Sequence, residues 1–412
     1  MQAVIIAAGE SSRFWPLNQG HKTQARILGK PLIYWTIKGL AQNGVQDIVV
    51  VCKTGSSLPE ALNAGNDLGV SLRFVFQEKP LGTGNALWQA KDFIKESFFA
   101  LWPNKVNAGK LAKDMKNHKE TSGFRAVFAG AETQSPWDYG IARLEESRLL
   151  EIHENPTPGT EPSKIKILGF YFFEPDFFDY YEKLEKHHEA DLIDAVNLYL
   201  KDRKTSVMML DKDVPALKYP WELLGILDIL LNSENFQPGI HKTTKIGLNV
   251  IIKGDVHIGA NTIIKDNTII EGPCFIGENC EIGYSNVLRG PLDIEKGVKT
   301  GAFFEAKHSI IQEGASFHSG YIGDSIIGKN CKFGAGFISA NRRLDRQNVL
   351  VEVKGKKVDT GASFLGVAAG EGSSFGIQSG TMPGVLVGSN CRVGPGVKVF
   401  ANLEDGKTLR SE

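Results

Sequence analysis

The chain has 412 residues, 42% hydrophobic and 23% charged, which is enough for two or three domains with their own cores. Lys plus Arg number 47 and so do Asp plus Glu, so no net field draws the chain to nucleic acid or to an anionic membrane. The five cysteines are scattered without a C-x-x-C pair, which favours reduced thiols in a cytosol over a disulfide framework or a zinc site.

The opening "MQAVIIAAGE" has no basic segment, and its apolar run is too short for a signal peptide or a membrane span, so a cytoplasmic protein is expected. "AVIIAAG" predicts a strand running into a Gly turn, and "PLIYWTIKGLAQNG" a helix ended by Gly44. "DIVVVC" and "SLRFVFQE" follow as strands, "GNALWQAKDFIK" as a helix, "FFALW" as a buried strand broken at Pro103, and "RAVFAG" as another strand. "YPWELLGILDILLN" closes the series as a helix. This alternation predicts an α/β domain over residues 1–232, built on a mostly parallel sheet with ligands beyond the carboxyl ends of its strands. The linker is expected at 233–245, "SENFQPGIHKTTK".

From residue 246 the period changes. Ile246, Ile252, Ile258, Ile264, Ile270, Ile276, Ile282, Leu288 and Ile294 fall every six residues. The register slips around 300–310, resumes with Tyr321, Ile327, Phe333 and Ser339, and again with Phe375, Thr381, Val387, Val393 and Val399. A hexapeptide repeat predicts a parallel β-helix over 246–412, with the apolar position of each hexad facing inward. The insertion "ANRRLDRQNVLVEVKGKKVDTG" cannot sit on a coil and should project as a loop, where binding function tends to lie.

"AAGESSRFWPLNQGHKTQARILGKPLI", followed by "QEKPLGTGNAL", "DYGIARLEESRLLEIHENP" and "ILGFYFFEPDFF", resembles the sugar-1-phosphate nucleotidyltransferases over roughly the first 230 residues. That resemblance implies a Rossmann-like domain. Gly9, beside Ala8, would let backbone N–H groups approach a triphosphate, and Arg13 and Lys22 would supply fixed positive charge. It further implies that Gln77 reads the edge of a pyrimidine base in a pocket shaped by Gly82 and Thr83, which favours UTP or dTTP, and that Gly140 and Glu154 hold the sugar phosphate. Several positions depart from the pattern. Ser11 replaces the second signature glycine, Asn104 stands where the family has its Mg²⁺-binding Asp, Asn155 replaces a lysine, and Ile167 an asparagine. No carboxylate directly precedes "YPWELL", where a second metal ligand is expected; Asp211 and Asp213 are nearest. A neutral Asn is a far poorer Mg²⁺ ligand than a carboxylate, and Lys105 offers a fixed charge in its place.

"FFEAKHSIIQEGASFHSGYIGDSIIGKNCKFGAGFISAN" is similar to the acetyltransferase half of the family that joins glucosamine-1-phosphate acetyltransferase and N-acetylglucosamine-1-phosphate uridyltransferase in one chain. The later "VEVKGKKVDTG" and "PGVLVGSNCRVGPG" look more like the archaeal fused versions. The resemblance implies a left-handed β-helix, acetyl-CoA as co-substrate, and a trimer or dimer of trimers with sites between subunits. Arg289 and Lys307 would grip the sugar phosphate, His318 would be the catalytic base, Tyr321 and Asn341 would contact the sugar phosphate, and Ala335 lies where acetyl-CoA docks. These types suit the chemistry: an ammonium must lose its proton before attacking a thioester, and histidine titrates near neutral pH. Asn341 is followed by Arg342 where the family has Tyr, and Arg343, Arg346 and Lys354 are the substitutes for a family lysine.

The expectation is a bifunctional enzyme of nucleotide-sugar synthesis. Its alternative is an acetyltransferase whose front half binds nucleotide as a sensor, having lost its metal at Asn104. No basic stripe with interleaved aromatics suggests nucleic acid.

Overall fold

The structure, a computed structural model, describes residues 1–9, 11–62, 67–211 and 215–410. By its contacts the chain divides into two units, Met1–Glu10 with Leu32–Val214 and Ser11–Pro31 with Pro215–Glu412. Sequence grammar divides the chain at 232 and 246. The contacts group 11–31 and 215–232 with the hexad region instead.

The first unit holds a nine-stranded sheet: β1 (Gln2–Ala7), β2 (Asp47–Lys53), β3 (Ser71–Gln77), β4 (Phe98–Leu101), β5 (Ala126–Glu132), β6 (Gly140–Glu145), β7 (Arg148–Glu154), β8 (Ile165–Phe173) and β9 (Thr205–Met209). Their order is β3-β2-β1-β4-β8-β5-β9-β7-β6. The strands β3, β2, β1 and β4 run parallel, and β8 is antiparallel to β4 and β5. In β1, Ala3, Ile5 and Ala7 feed one core while Val4 and Ile6 feed the other, so a continuous apolar run serves both faces. Helices α1 (Leu32–Gln42) and α3 (Ala108–Ser122) pack on the first face. Helix α2 (Thr83–Trp88) and α5 (Asp191–Asp202) pack on the second, with α4 (Phe177–Glu182) beside them. Helix α3 stops at Gly123, whose φ of 70° gives the left-handed cap that glycine adopts at least cost.

The second unit starts, in chain order after α6 (Glu222–Leu231), with short strands stacked in parallel. Lys245 pairs with Ile263 and Ile263 with Glu281, eighteen residues on each time. Parallel ladders through Ile251, Ile269 and Val287, and through Val256, Cys274 and Leu292, keep the same spacing. Successive eighteen-residue rungs therefore lie on one another. Ile258, Ile264, Ile270, Ile276, Ile282, Leu288 and Ile294 are all at most 1% exposed inside the stack, while Ile246 on an early rung is 44% exposed. Asn249, Asn261, Asn267 and Asn279 take the rung corners at φ between 56° and 61°, where Asn is the non-glycine residue best tolerated.

Tyr321 is the correction. The hexad register places it inward, but Ile322 fills the interior and Tyr321 is half-buried on the outer face. Rung length explains the slip: Glu305 pairs with Tyr321, sixteen residues on, and Tyr321 with Ile338, seventeen on. The insertion leaves the stack as an antiparallel hairpin, Leu350–Val353 with Lys356–Asp359, so that Ile338 pairs next with Gly380. Segment 11–31 is tied to the same stack: the N–H of Gly29 donates to Glu295 Oε1 at 2.8 Å and that of Leu28 to Asp293 Oδ2 at 3.3 Å.

Candidate active sites

In the first unit, Ala8 is buried and Gly9 exposed at the carboxyl end of β1. A Cβ added to Gly9 would meet nothing within 4 Å, so the fold does not itself demand glycine there. The residue leaves open space beside the backbone, as close approach of a ligand requires. Gln77, at the end of β3, is buried. Its Nε2 donates to the Gly82 carbonyl at 3.0 Å and to Asn85 Oδ1 at 2.9 Å, which fixes the plane of its amide. Gly82 has φ 99°, and a Cβ there would fall 2.5 Å from the Glu189 carbonyl oxygen. Thr83 then opens α2. Gly140 and Glu154 are paired across β6 and β7, and Asn155 Nδ2 donates to Glu154 Oε1 at 3.2 Å. The predicted residues of this unit thus sit at strand ends and turns.

Asn104 and Lys105 are both buried, 2% and 3% exposed. The turn carrying them is held by Thr36 Oγ1, which donates to the Pro103 carbonyl at 2.9 Å, and by Trp102 N–H, which donates to the Gly169 carbonyl at 3.2 Å. Gly169 has φ 63°, and the Trp102 ring occupies the space a Cβ would need. Asp211 is exposed and Asp213 lies outside the described residues. Among the described residues no three His, Cys, Asp or Glu side chains gather to hold a metal ion. With a neutral Asn104 and an exposed Asp211 where the carboxylates are expected, these residues do not fit the Mg²⁺ site the resemblance implies.

Arg13 and Lys22 lie on the segment grouped with the second unit. Arg13 is exposed, whereas Lys22 is half-buried with its Nζ donating to the Leu217 carbonyl at 2.8 Å. Burial lowers the Lys22 ammonium from its ordinary value, Glu222 opposes that, and Arg13 and Lys218 add to the lowering.

The back-half residues come together on neighbouring rungs. In β10 (Val287–Ile294) and β11 (Phe304–Ile311), Arg289 pairs with Lys307, which in turn pairs with Gly323 of β12 (Gly320–Gly323). Arg289 forms a close ion pair with Glu305. Asp324 is the hub: Lys307 Nζ lies 3.7 Å from its Oδ2, and Asn341 Nδ2 donates to that oxygen at 2.6 Å and to the Tyr321 hydroxyl at 3.2 Å. Burial raises the Tyr321 phenol, and the nearby Asp324 and Glu305 raise it further, so it stays neutral. Gly323 makes the room, since a Cβ there would fall 2.7 Å from Asn341 Nδ2. Above the cluster, the Phe364 ring carries Lys307 Nζ at 4.8 Å and the Arg342 guanidinium at 4.7 Å.

His318 stands apart from this network. It is exposed at a rung corner, its N–H donates to the Phe333 carbonyl at 2.9 Å, and among the described residues its ring takes no hydrogen bond or ion pair. Ala335 is half-buried, with its carbonyl accepting from Gln378 N–H at 2.7 Å. Of the substitute cations, Arg343 is paired with Asp345, and Lys354 Nζ donates to Ser12 Oγ at 3.2 Å. Sequence reasoning missed His308, whose Nδ1 is 2.7 Å from Asp324 Oδ1 and whose Nε2 is 3.1 Å from Asp228 Oδ1. The legible signal was Asp228, the single charge beyond the first residue of the apolar helix "ELLGILDILL".

The nucleotidyl transferase family matches residues 2–237. Along 98% of its length the chain is 35% identical to a bifunctional protein GlmU of Methanococcus maripaludis, covering 96% of that protein. It is 33% identical, over the whole of both chains, to a bifunctional sugar-1-phosphate nucleotidylyltransferase/acetyltransferase of Sulfurisphaera tokodaii. Among solved structures, a UDP-glucose pyrophosphorylase from Acinetobacter baumanii aligns at TM-score 0.48 and 20% identity, over 57% of this chain and 94% of that one. With α/β strand ends in the first unit, stacked parallel rungs in the second and relatives matched end to end, the chain belongs to the family of bifunctional sugar-1-phosphate nucleotidyltransferase/acetyltransferases.

Proposed function

We propose that the protein performs two steps of nucleotide-sugar synthesis: acetyl transfer from acetyl-CoA to an amino-sugar 1-phosphate, and nucleotidyl transfer from UTP or dTTP to a sugar 1-phosphate. The observation that carries this reading is the grouping of Arg289, Lys307, Tyr321 and Asn341 with Asp324, in a chain matched from end to end by a relative that bears both activities in its name. In the first step Arg289 and Lys307 hold the phosphate and Asn341 and Tyr321 the sugar. His318 takes the proton from the attacking nitrogen. The N–C bond forms at the thioester carbonyl, the C–S bond breaks, and coenzyme A leaves as its thiol. Backbone beside Ala335 receives the acetyl donor.

In the second step a phosphate oxygen of the sugar 1-phosphate attacks the α-phosphorus and pyrophosphate leaves. Gln77, Gly82 and Thr83 take the base-reading role, Ala8 and Gly9 the backbone approach to phosphate, Arg13 and Lys22 the charge, and Gly140 and Glu154 the sugar. The fixed amide of Gln77 supports a base-reading role, since a pyrimidine edge is recognised by an oriented donor and acceptor.

We take the stacked rungs as a left-handed β-helix, on their hexad period and mostly two- or three-residue strands. A trimer is favoured by outward Tyr284, Phe303, Ile338, Ile377 and Phe400, large apolar side chains that a second copy would cover. Five free, buried cysteines accord with a cytosolic setting.

The test is to assay the purified chain for thiol release from acetyl-CoA with glucosamine 1-phosphate, and for pyrophosphate release from UTP or dTTP with a panel of sugar 1-phosphates. Turnover in both assays is expected. Thiol release alone, with UTP still bound, would make the front half a sensor.

A further inference from the structure

The network around Asp324 continues inward through His308, and every member lies within the second unit. His308 follows Lys307 on β11 and is mostly buried, its side chain 23% exposed. Its two ring nitrogens face two carboxylates, Asp324 at 2.7 Å and Asp228 of α6 at 3.1 Å. A neutral imidazole carries one N–H and can satisfy only one of them, while the other nitrogen would turn a lone pair toward a carboxylate oxygen. The arrangement therefore selects the imidazolium. Burial pulls the ring down, but the hydrogen bonds and charges of Asp228 and Asp324 outweigh it and hold it up, to about 9. The backbone at His308 and Asp324 is left-handed, φ 41° and 50°, and Asp324 N–H donates to the Lys307 carbonyl at 3.0 Å, so both side chains leave the stack at matching corners.

We propose that His308 is a positioning residue for acetyl transfer: clamped between Asp228 and Asp324, it holds Asp324 where that carboxylate orients Asn341 and leaves the charge of Lys307 available to the sugar phosphate. The inference rests on the acceptor site proposed above. Electrostatics give the reason. Without a second cation, Asp324 has only Lys307 to neutralise it, and an ammonium so occupied is a poorer phosphate ligand. Asp228 and Asp324 are the charged groups facing the ring, and Lys307 is its charged neighbour on the strand. With Arg289, Glu305 and the imidazolium these charges sum to zero, and losing His308 leaves the set negative where a dianion must bind.

The experiment uses the full chain, acetyl-CoA and glucosamine 1-phosphate, comparing wild type with His308→Gln and Asp228→Asn, and with Lys307→Met and His318→Ala as controls. His308→Gln should raise KM for the sugar phosphate on the order of tenfold while KM for acetyl-CoA stays put. In Asp228→Asn the imidazolium loses one of its two carboxylates, so the alkaline limb of kcat/KM should move about one pH unit lower. Asp228 is surface-accessible, so that variant carries the test even if His308→Gln folds poorly. An unchanged limb in folded Asp228→Asn, with Lys307→Met raising KM, would overturn the positioning role alone. Wild-type rates in both controls would instead overturn the acceptor site, and this inference with it.

Discussion

His318 and Gly84 mark two ways a single residue matters in this chain. An exposed His318 without a side-chain partner among the described residues contributes little to stability, so His318→Ala should leave the unfolding free energy within about 0.5 kcal/mol of wild type. As general base it should nevertheless cost roughly a hundred- to ten-thousandfold in acetyl transfer. Thiol-release kinetics beside a denaturation curve check both halves, and an active variant would remove His318 from the mechanism. Gly84 is the opposite case. A Cβ there would fall 2.6 Å from Tyr181 Cε2 and 2.9 Å from Leu192 N, so Gly84→Ala should destabilise the first unit by about 1–3 kcal/mol, read by urea denaturation. The resemblance gives Gly82 and Thr83 a base-pocket role, but Gly84 beside them answers to helix packing, which no local pattern reveals. The catalytic candidates on the rungs were legible because each belongs to a spaced set. His308 was not, because its meaning comes from Asp228, eighty residues earlier in the chain.

Among the elements, the hexad rungs were the most readable, since a strict period writes the inward face directly into the sequence. Reading failed at Tyr321 because two rungs are one and two residues short, and one residue of slip turns a side chain from core to surface. Segment 11–31 hides a different feature. Its residues 26–29 sit on Asp293 and Glu295, which are 0% and 1% exposed, with Arg26 Nε 3.3 Å from Glu295 Oε2. Burial raises both carboxyls, Glu295 raises Asp293 further, and the Leu28 and Gly29 N–H groups and Arg26 only partly offset it. The folded values lie above the unfolded ones, so the folded state keeps protons that the unfolded chain releases. The pair's contribution is therefore most favourable below about pH 4 and is lost as pH rises through the raised folded values. Asp293→Asn removes one of these titrations while keeping an acceptor for Leu28 N–H. The variant should gain stability relative to wild type as pH rises from 4 to 8. Denaturation midpoints at several pH values decide it, and a variant that falls behind wild type at pH 8 sinks the argument.

At the scale of the whole molecule, the α/β and hexad grammars were legible because strand-helix alternation and a six-residue period differ from end to end. What could not be read is that the chain enters the second unit twice. Residues 11–31 fall within the stretch matched by the nucleotidyl transferase family and follow β1 directly, so every local sign assigns them to the α/β domain, yet their contacts group them with the rungs. Cutting at the apparent linker should therefore be costly. A fragment of 233–412 would lack Arg26, Leu28 and Gly29 over the buried carboxylates, the Arg26 backbone with which the Gln312 side chain exchanges hydrogen bonds, and Asp228 behind His308. Apolar rung surface and half-satisfied polar groups would be left facing water. We expect this fragment to unfold at a clearly lower denaturant concentration than the hexad region of the full chain, with a loss on the order of a few kcal/mol. A fragment of 215–412, which keeps α6, should restore the His308 pairing but not the cover over Asp293 and Glu295. Its KM for the amino-sugar phosphate should then approach that of the full chain while its denaturation midpoint stays low. If 233–412 were as stable and as active as the whole protein, the rungs would be a self-sufficient enzyme, and segment 11–31 would serve the nucleotide half alone.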